Sequence, residues 1–337
     1  MSFRKCSPDS PATPDSSPSS APSFAGMRVD GLDEELIAAQ QQVNAMLAQM
    51  PQPDITTPEG LEMLRAMTTP PQAAPVLVPQ DITIQAPTGS MRLHVFTPEQ
   101  PARAVILRIH GGGWAAGTPE DDEAYNDHLA RTCQVAVVSP EYQLVPEATI
   151  MDQIEDCLAA ASWVAAEAAS RFGTDKLLIG GISAGGHLAA AVALRLRDQE
   201  DPAFAMLKGL LLDCGAYDLS FTPSARRADD NTPVLPRSSL DGLAALGLPG
   251  LDDAERRHPS LSPLYADLHG MPPALFTVGD LDPLRDDSVF LASLWQLAGN
   301  NADLDVWPHA AHAFTNMGAP IAGIALTRTT DWINAAL

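Results

Sequence analysis

Six short, nearly continuous apolar runs, at residues 104–109, 135–138, 177–182, 209–212, 274–278 and 304–307, restrict what this chain can become more than any other feature. A strand that is apolar on both faces has to be covered on both, and such strands belong to a parallel sheet packed between helices. Segments suited to helices lie between the runs, at 151–172, 186–198 and 287–297. Strands and helices in alternation imply a doubly wound α/β fold. Ahead of them, Ile82, Ile84, Met91, Leu93 and Val95 alternate with polar residues around Pro87-Thr88-Gly89, which predicts a hairpin with one buried face. The expectation is a mostly parallel sheet of eight strands with helices on both faces.

The rest of the chain divides around this unit. Residues 1–26 are Ser, Pro and Ala for the most part; a segment with so little to bury does not offset its ordering entropy and is expected to be a disordered tail. Within 27–75, Leu32, Leu36, Val43, Met46, Leu47 and Met50 recur at helical spacing behind Asp33, Glu34 and Glu35, and Pro51 and Pro53 end the segment. A second helix is expected over 58–67, with Leu61 and Leu64 on one side. Residues 76–337 form the main domain. One stretch inside it, about 220–262, has several prolines, Arg226, Arg227, Asp229 and Asp230, and no clear strand. That is long for a loop in a compact domain, so it reads as a partly helical cap, joined by the helices of 27–75. No internal repeat is evident.

Charge and cysteine usage exclude several functions. Acidic residues outnumber basic ones 42 to 20, a formal charge of −22, and that field repels nucleic acid and anionic membrane. Cys6, Cys133, Cys157 and Cys214 show no paired spacing, so neither a zinc site nor a disulfide framework is expected. No run reaches the roughly 20 apolar residues that span a bilayer. Arg4 and Lys5 are followed by Ser, Pro and Asp where a secretory signal needs an apolar core. A cytoplasmic location fits, and a homodimer is compatible with the sequence.

Four segments carry chemistry. Gly181-Ile182-Ser183-Ala184-Gly185-Gly186 closes one apolar run and opens a small-residue helix. A nucleophile on a sharp strand-to-helix turn needs small neighbours, and the helix behind it aims N–H groups at a developing oxyanion. His110-Gly111-Gly112-Gly113-Trp114 follows another run, and its glycines leave N–H groups unshielded for a substrate oxygen. Past residue 278 come four acids, Asp280, Asp282, Asp286 and Asp287, at a strand end where side chains reach the crevice of an open α/β sheet. Their spacing does not choose among them. After residue 307 come His309 and His312, either of which supplies a base with a pKa near neutrality.

Taken together, these segments resemble the hormone-sensitive-lipase-like family of bacterial esterases, of the α/β-hydrolase fold, from about residue 81 to the C-terminus. His110-Gly111-Gly112-Gly113-Trp114 matches the family's HGGGW, which implies Gly112 and Gly113 as oxyanion donors alongside the Ala184 N–H. Tyr142-Gln143-Leu144-Val145-Pro146-Glu147 resembles its YRLAPE run, departing at Gln143 and Val145. Asp282-Pro283-Leu284-Arg285-Asp286 matches DPLRD, whose first Asp orients the base. His312-Ala313-Phe314 matches HGF with Ala for Gly, which implies His312 as base and His309 as structural. The elbow departs at Ile182, where the family has an acid, and at His187, where Asn is common.

The resemblance implies a Ser183, Asp282, His312 triad that hydrolyses small to medium apolar carboxylic esters through an acyl-enzyme, without metal or organic cofactor. Lactone and amide hydrolysis use the same groups and stand as alternatives. A non-catalytic ligand-binding role on the same fold is the alternative of a different class, and the presence of all three triad residues weighs against it.

Overall fold

The computed structural model describes residues 29, 32–49, 52–67, 74–318 and 320–337. The expected tail at 1–26 lies outside the described residues, as do Met50 and Pro51. One sheet of eight strands runs through the molecule: β1 (Gln80–Ala86), β2 (Gly89–Phe96), β3 (Val105–Ile109), β4 (Ala136–Pro140), β5 (Leu177–Ile182), β6 (Leu207–Asp213), β7 (Ala274–Gly279) and β8 (Ala302–Trp307). Their order across the sheet is β1-β2-β4-β3-β5-β6-β7-β8. β1 and β2 form the expected hairpin, with Ala86 opposite Gly89, and β2 runs antiparallel to β4. Every later pairing is parallel. The hairpin turn is fastened by Thr88, whose N–H and hydroxyl both donate to the buried Asp156 carboxylate, at 3.2 and 2.6 Å.

The helices are α1 (Glu34–Leu47), α2 (Pro58–Ala66), α3 (Glu123–Cys133), α4 (Ile150–Phe172), α5 (Ala184–Asp198), α6 (Pro202–Met206), α7 (Pro223–Arg227), α8 (Arg237–Gly247), α9 (Asp253–Arg256), α10 (Arg285–Leu297) and α11 (Pro320–Ala336). Their starts follow from capping chemistry. Asp33 accepts from the Leu36 N–H, and Thr57 from the Gly60 N–H just ahead of Pro58. Thr149 and Asp152 cap each other reciprocally at the head of α4. No helix among the described residues is long and apolar enough to cross a membrane.

Period-two alternation along the strands sends side chains to two cores. Val105, Leu107 and Ile109 of β3 pack with α4, α5 and α10, through residues such as Ile154, Leu188 and Trp295. Ile106, Leu178, Leu211 and Leu275 face the other way, onto Tyr125 and Leu129 of α3 and Trp332 and Ile333 of α11. Helix formation over α3 and α11 has no counterpart in the sequence reading, yet these two helices cover one whole face. The expected insertion holds α7, α8 and α9. One residue of the first apolar run breaks the pattern: Arg108 is fully buried on the α3 face. It donates to Asp213 at 2.9 Å, lies 3.4 Å from Asp122 and stacks over the Tyr125 ring at 4.5 Å.

Candidate active site

β3 and β5 are neighbours, with Ile109 opposite Gly181. The chain leaves these two strands toward opposite sides of the sheet, which opens a crevice at their C-terminal ends. The glycine loop after β3 and the serine turn after β5 therefore meet there.

Ser183 sits between β5 and α5 at φ 56°, ψ −119°, a conformation that L-residues rarely hold. Its N–H donates to the Asp213 carbonyl at 2.9 Å and its own carbonyl accepts from the His187 N–H at 3.1 Å, so the turn is fixed from both sides. The turn also presses against β3: a Cβ on Gly185 would lie 2.0 Å from the Ile109 carbonyl oxygen. His312 Nε2 lies 2.8 Å from the Ser183 Oγ, and its Nδ1 lies 2.9 and 3.1 Å from the two oxygens of Asp282. Asp282 and His312 are buried, and Ser183 is partly open. Burial disfavours a charged His312, but Asp282 overrides it and leaves the pKa well above the ordinary imidazole value.

The four acids left open by spacing now separate. Asp282 faces His312. Asp280 accepts from the His309 N–H at 2.7 Å, and Asp286 pairs with Arg285 at 2.7 Å. Asp287 accepts from the N–H groups of Tyr217 and Asp218 and from the Thr222 hydroxyl, at 2.7, 2.8 and 2.6 Å, fastening the start of the insertion. Burial nonetheless pushes its pKa up to about 7. The histidines separate too. His309 is met through its backbone, at the N–H by Asp280 and at the carbonyl by Asn44 of α1 at 2.7 Å.

In the glycine loop, Gly112 and Gly113 take φ of 113° and 62°. The N–H groups of Gly112, Gly113 and Ala184 hold no hydrogen bond among the described residues. α8 covers this loop so closely that a Cβ on Gly113 would stand 2.5 Å from the Leu243 side chain. From α2, Arg65 reaches the same region, donating to the carbonyls of Ala115 and Val145 at 2.9 and 3.0 Å and pairing with Glu147 at 2.6 Å. Tyr142 stacks on His110 at 4.3 Å between ring centroids.

Two further residues matter at the site. The elbow departure His187 is completely buried, accepts from the Trp114 indole N–H through Nδ1 at 3.2 Å, and donates from Nε2 to the Leu261 carbonyl at 2.7 Å. Burial pushes its pKa down to about 4, which keeps it neutral. One ring thus joins α5, the glycine loop and the end of the insertion. The other is Cys214, whose buried thiol lies within 4.8 Å of a ring nitrogen of His312 and a carboxylate oxygen of Asp282. A lone cysteine with no partner spacing carries no sequence signal for such a contact.

Comparison with known proteins agrees with this architecture. The pattern of the family described as alpha/beta hydrolase fold matches residues 106–316. The carboxylesterase NlhH of Mycobacterium tuberculosis is 31% identical over 280 residues, covering 80% of this chain and 87% of that protein. The carboxylic ester hydrolase LipN of the same organism is 29% identical over 318 residues, covering 91% and 78%. Among solved structures, a hyperthermophilic esterase from the archaeon Pyrobaculum calidifontis superposes with a TM-score of 0.73 at 28% identity, over 90% of this chain and 98% of that one. A bacterial heroin esterase superposes with a TM-score of 0.78 at 26% identity, over 88% and 97%.

Proposed function

This chain belongs to the hormone-sensitive-lipase-like branch of the α/β-hydrolase family, and we propose that it hydrolyses carboxylic esters with Ser183 as nucleophile. The observation that carries the reading is the continuous hydrogen-bonded series from Ser183 Oγ through both nitrogens of His312 to Asp282. His312 Nε2 takes the serine proton as Oγ attacks the ester carbonyl, and Asp282 fixes the ring's tautomer and offsets the charge it acquires. The free N–H groups of Gly112, Gly113 and Ala184 receive the oxyanion, and losing one such donor costs about 10²–10³ in rate. His312 returns the proton to the leaving alcohol, and water then attacks the acyl-enzyme with the same base.

α1, α2 and the insertion of about 220–262 act as a cap in this reading. The support is the seat of Leu243 over Gly113 and the reach of Arg65 and Asn44 to the loops that carry the site. Small to medium apolar esters are the substrates, in keeping with the esterases that the chain resembles. The test is hydrolysis of p-nitrophenyl esters from acetate to palmitate by the wild type and Ser183→Ala. The wild type turns over the shorter esters, the variant loses at least about 10⁴-fold, and a phosphonate probe labels Ser183. A folded wild type that cleaves none of the series and takes no label overturns the reading.

A further inference from the structure

We propose that Cys214, His312 and Asp282 together form a binding site for a thiophilic divalent cation of the zinc or cadmium class, and that filling it switches the active site off. The proposal rests on the reading of His312 as the base, and adds to it a thiol for which that reading has no use. One ligand atom from each of the three buried residues comes within 4.8 Å of the other two. Sulfur, imidazole nitrogen and carboxylate oxygen are the donors zinc takes, at bond lengths that place tetrahedral ligands about 3.3–3.6 Å apart. From separations of at most 4.8 Å, the donors therefore have to draw together by no more than about 1.5 Å to close on an ion.

The backbone aims the thiol into this position. Cys214 follows the last residue of β6 at φ 39°, and its N–H donates to the Thr277 carbonyl of β7 at 2.8 Å. The preceding residue, Asp213, is held by the buried Arg108. A thiol fixed from both sides beside an Asp–His pair is a cluster of three different donors, unlike Cys133 and Cys157, which are buried outside any such cluster among the described residues.

Coordination has a definite chemical consequence. The thiol proton passes to solvent as the sulfur–metal bond forms. If the ion takes Nδ1, the ring proton moves to Nε2, which can then no longer accept the proton of Ser183. If it takes Nε2, the acceptor itself is occupied. Either arrangement leaves the nucleophile protonated.

The experiment uses the full chain, freed of metal by chelator and titrated with cadmium chloride. Two quantities are read: the ester hydrolysis rate relative to the same sample without cation, and the thiolate-to-cadmium charge-transfer absorption in the ultraviolet. Wild type should lose its rate by about tenfold or more, show the band, and recover both ways on adding EDTA. Cys214→Ala and Cys214→Ser, each confirmed folded by its melting curve, should keep their own rates at cation concentrations that silence wild type, and should lose the band. Two variants guard against one failing to fold. Inhibition and absorption that persist in the folded variants place the cation on another cysteine and overturn the proposal, as does a wild type with no band. A wild type that cleaves no ester removes the functional reading instead, and the band and its response to Cys214→Ala still decide this one.

Discussion

Asp282 meets one imidazole nitrogen with both oxygens and accepts the Leu284 N–H at 2.7 Å, so it holds the ring and its own loop together. Asp282→Asn keeps the size and can still bond, but it favours the wrong tautomer of His312. The expected result is a fall of roughly 10⁴ in kcat, with a melting temperature close to that of the wild type; a variant within tenfold of wild type would assign the carboxylate a packing role only. His187 leads to a prediction about pH. Its pKa in the fold, about 4, lies below the ordinary imidazole value of 6.5, so the unfolded chain binds more protons across that interval. Its contribution to stability is complete above about pH 6.5 and drains away as pH falls toward 4, on the order of 3 kcal/mol in all. Urea melts of wild type and His187→Gln at pH 7 and pH 4.5 should show a smaller acid loss in the variant. Equal losses would mean that the ring is protonated without consequence. Were its bond to Trp114 also to position the glycine loop, the variant would lose kcat at pH 7 with KM little changed.

At the scale of elements, β3 and β6 are joined across β5 by the Arg108–Asp213 pair. Arg108 stands opposite Gly180 in the register, and Asp213 opposite Ile182. Asp213→Ala leaves a buried guanidinium with Asp122 at 3.4 Å as its remaining ion partner. The expected cost is about 3–5 kcal/mol, read as a shift of the denaturation midpoint. Arg108→Met combined with Asp213→Leu should recover only part of it, since the unpaired guanidinium is removed while the buried Asp122 loses its cation; a double variant as unstable as the single would show that Asp122 needs Arg108 as much as Asp213 does. This pair also marks where legibility in the sequence ends. Strands β3 to β7 are readable because burial on both faces demands apolar runs, β8 through its buried end at Val306 and Trp307, and the hairpin because one face does. Arg108 looks like a minor blemish in such a run, and only the fold brings Asp213, 105 residues away, against it. α3 and α11 escape notice because each needs only a narrow apolar stripe to cover the sheet. At the site, the motif residues Ser183, Asp282 and His312 are local signals, whereas Cys214, Asn44 and Arg65 act through contacts that no spacing along the chain encodes.

The whole molecule brings together loops that follow β3, β5, β6, β7 and β8, and 129 residues separate Ser183 from its partner His312. Contacts of that separation form after local ones, because the intervening chain has to be closed first. On dilution from denaturant, helical circular dichroism should therefore return ahead of ester hydrolysis; recovery of both in a single shared phase would contradict this order. His312 is delivered from beyond β8, one of the two edge strands of the sheet. A molecule that has built every strand but the last thus has Ser183 in place without the imidazole proposed to activate it. Specific activity in that reading serves as a gauge of completion, since a molecule arrested before β8 lacks His312 and α11 alike.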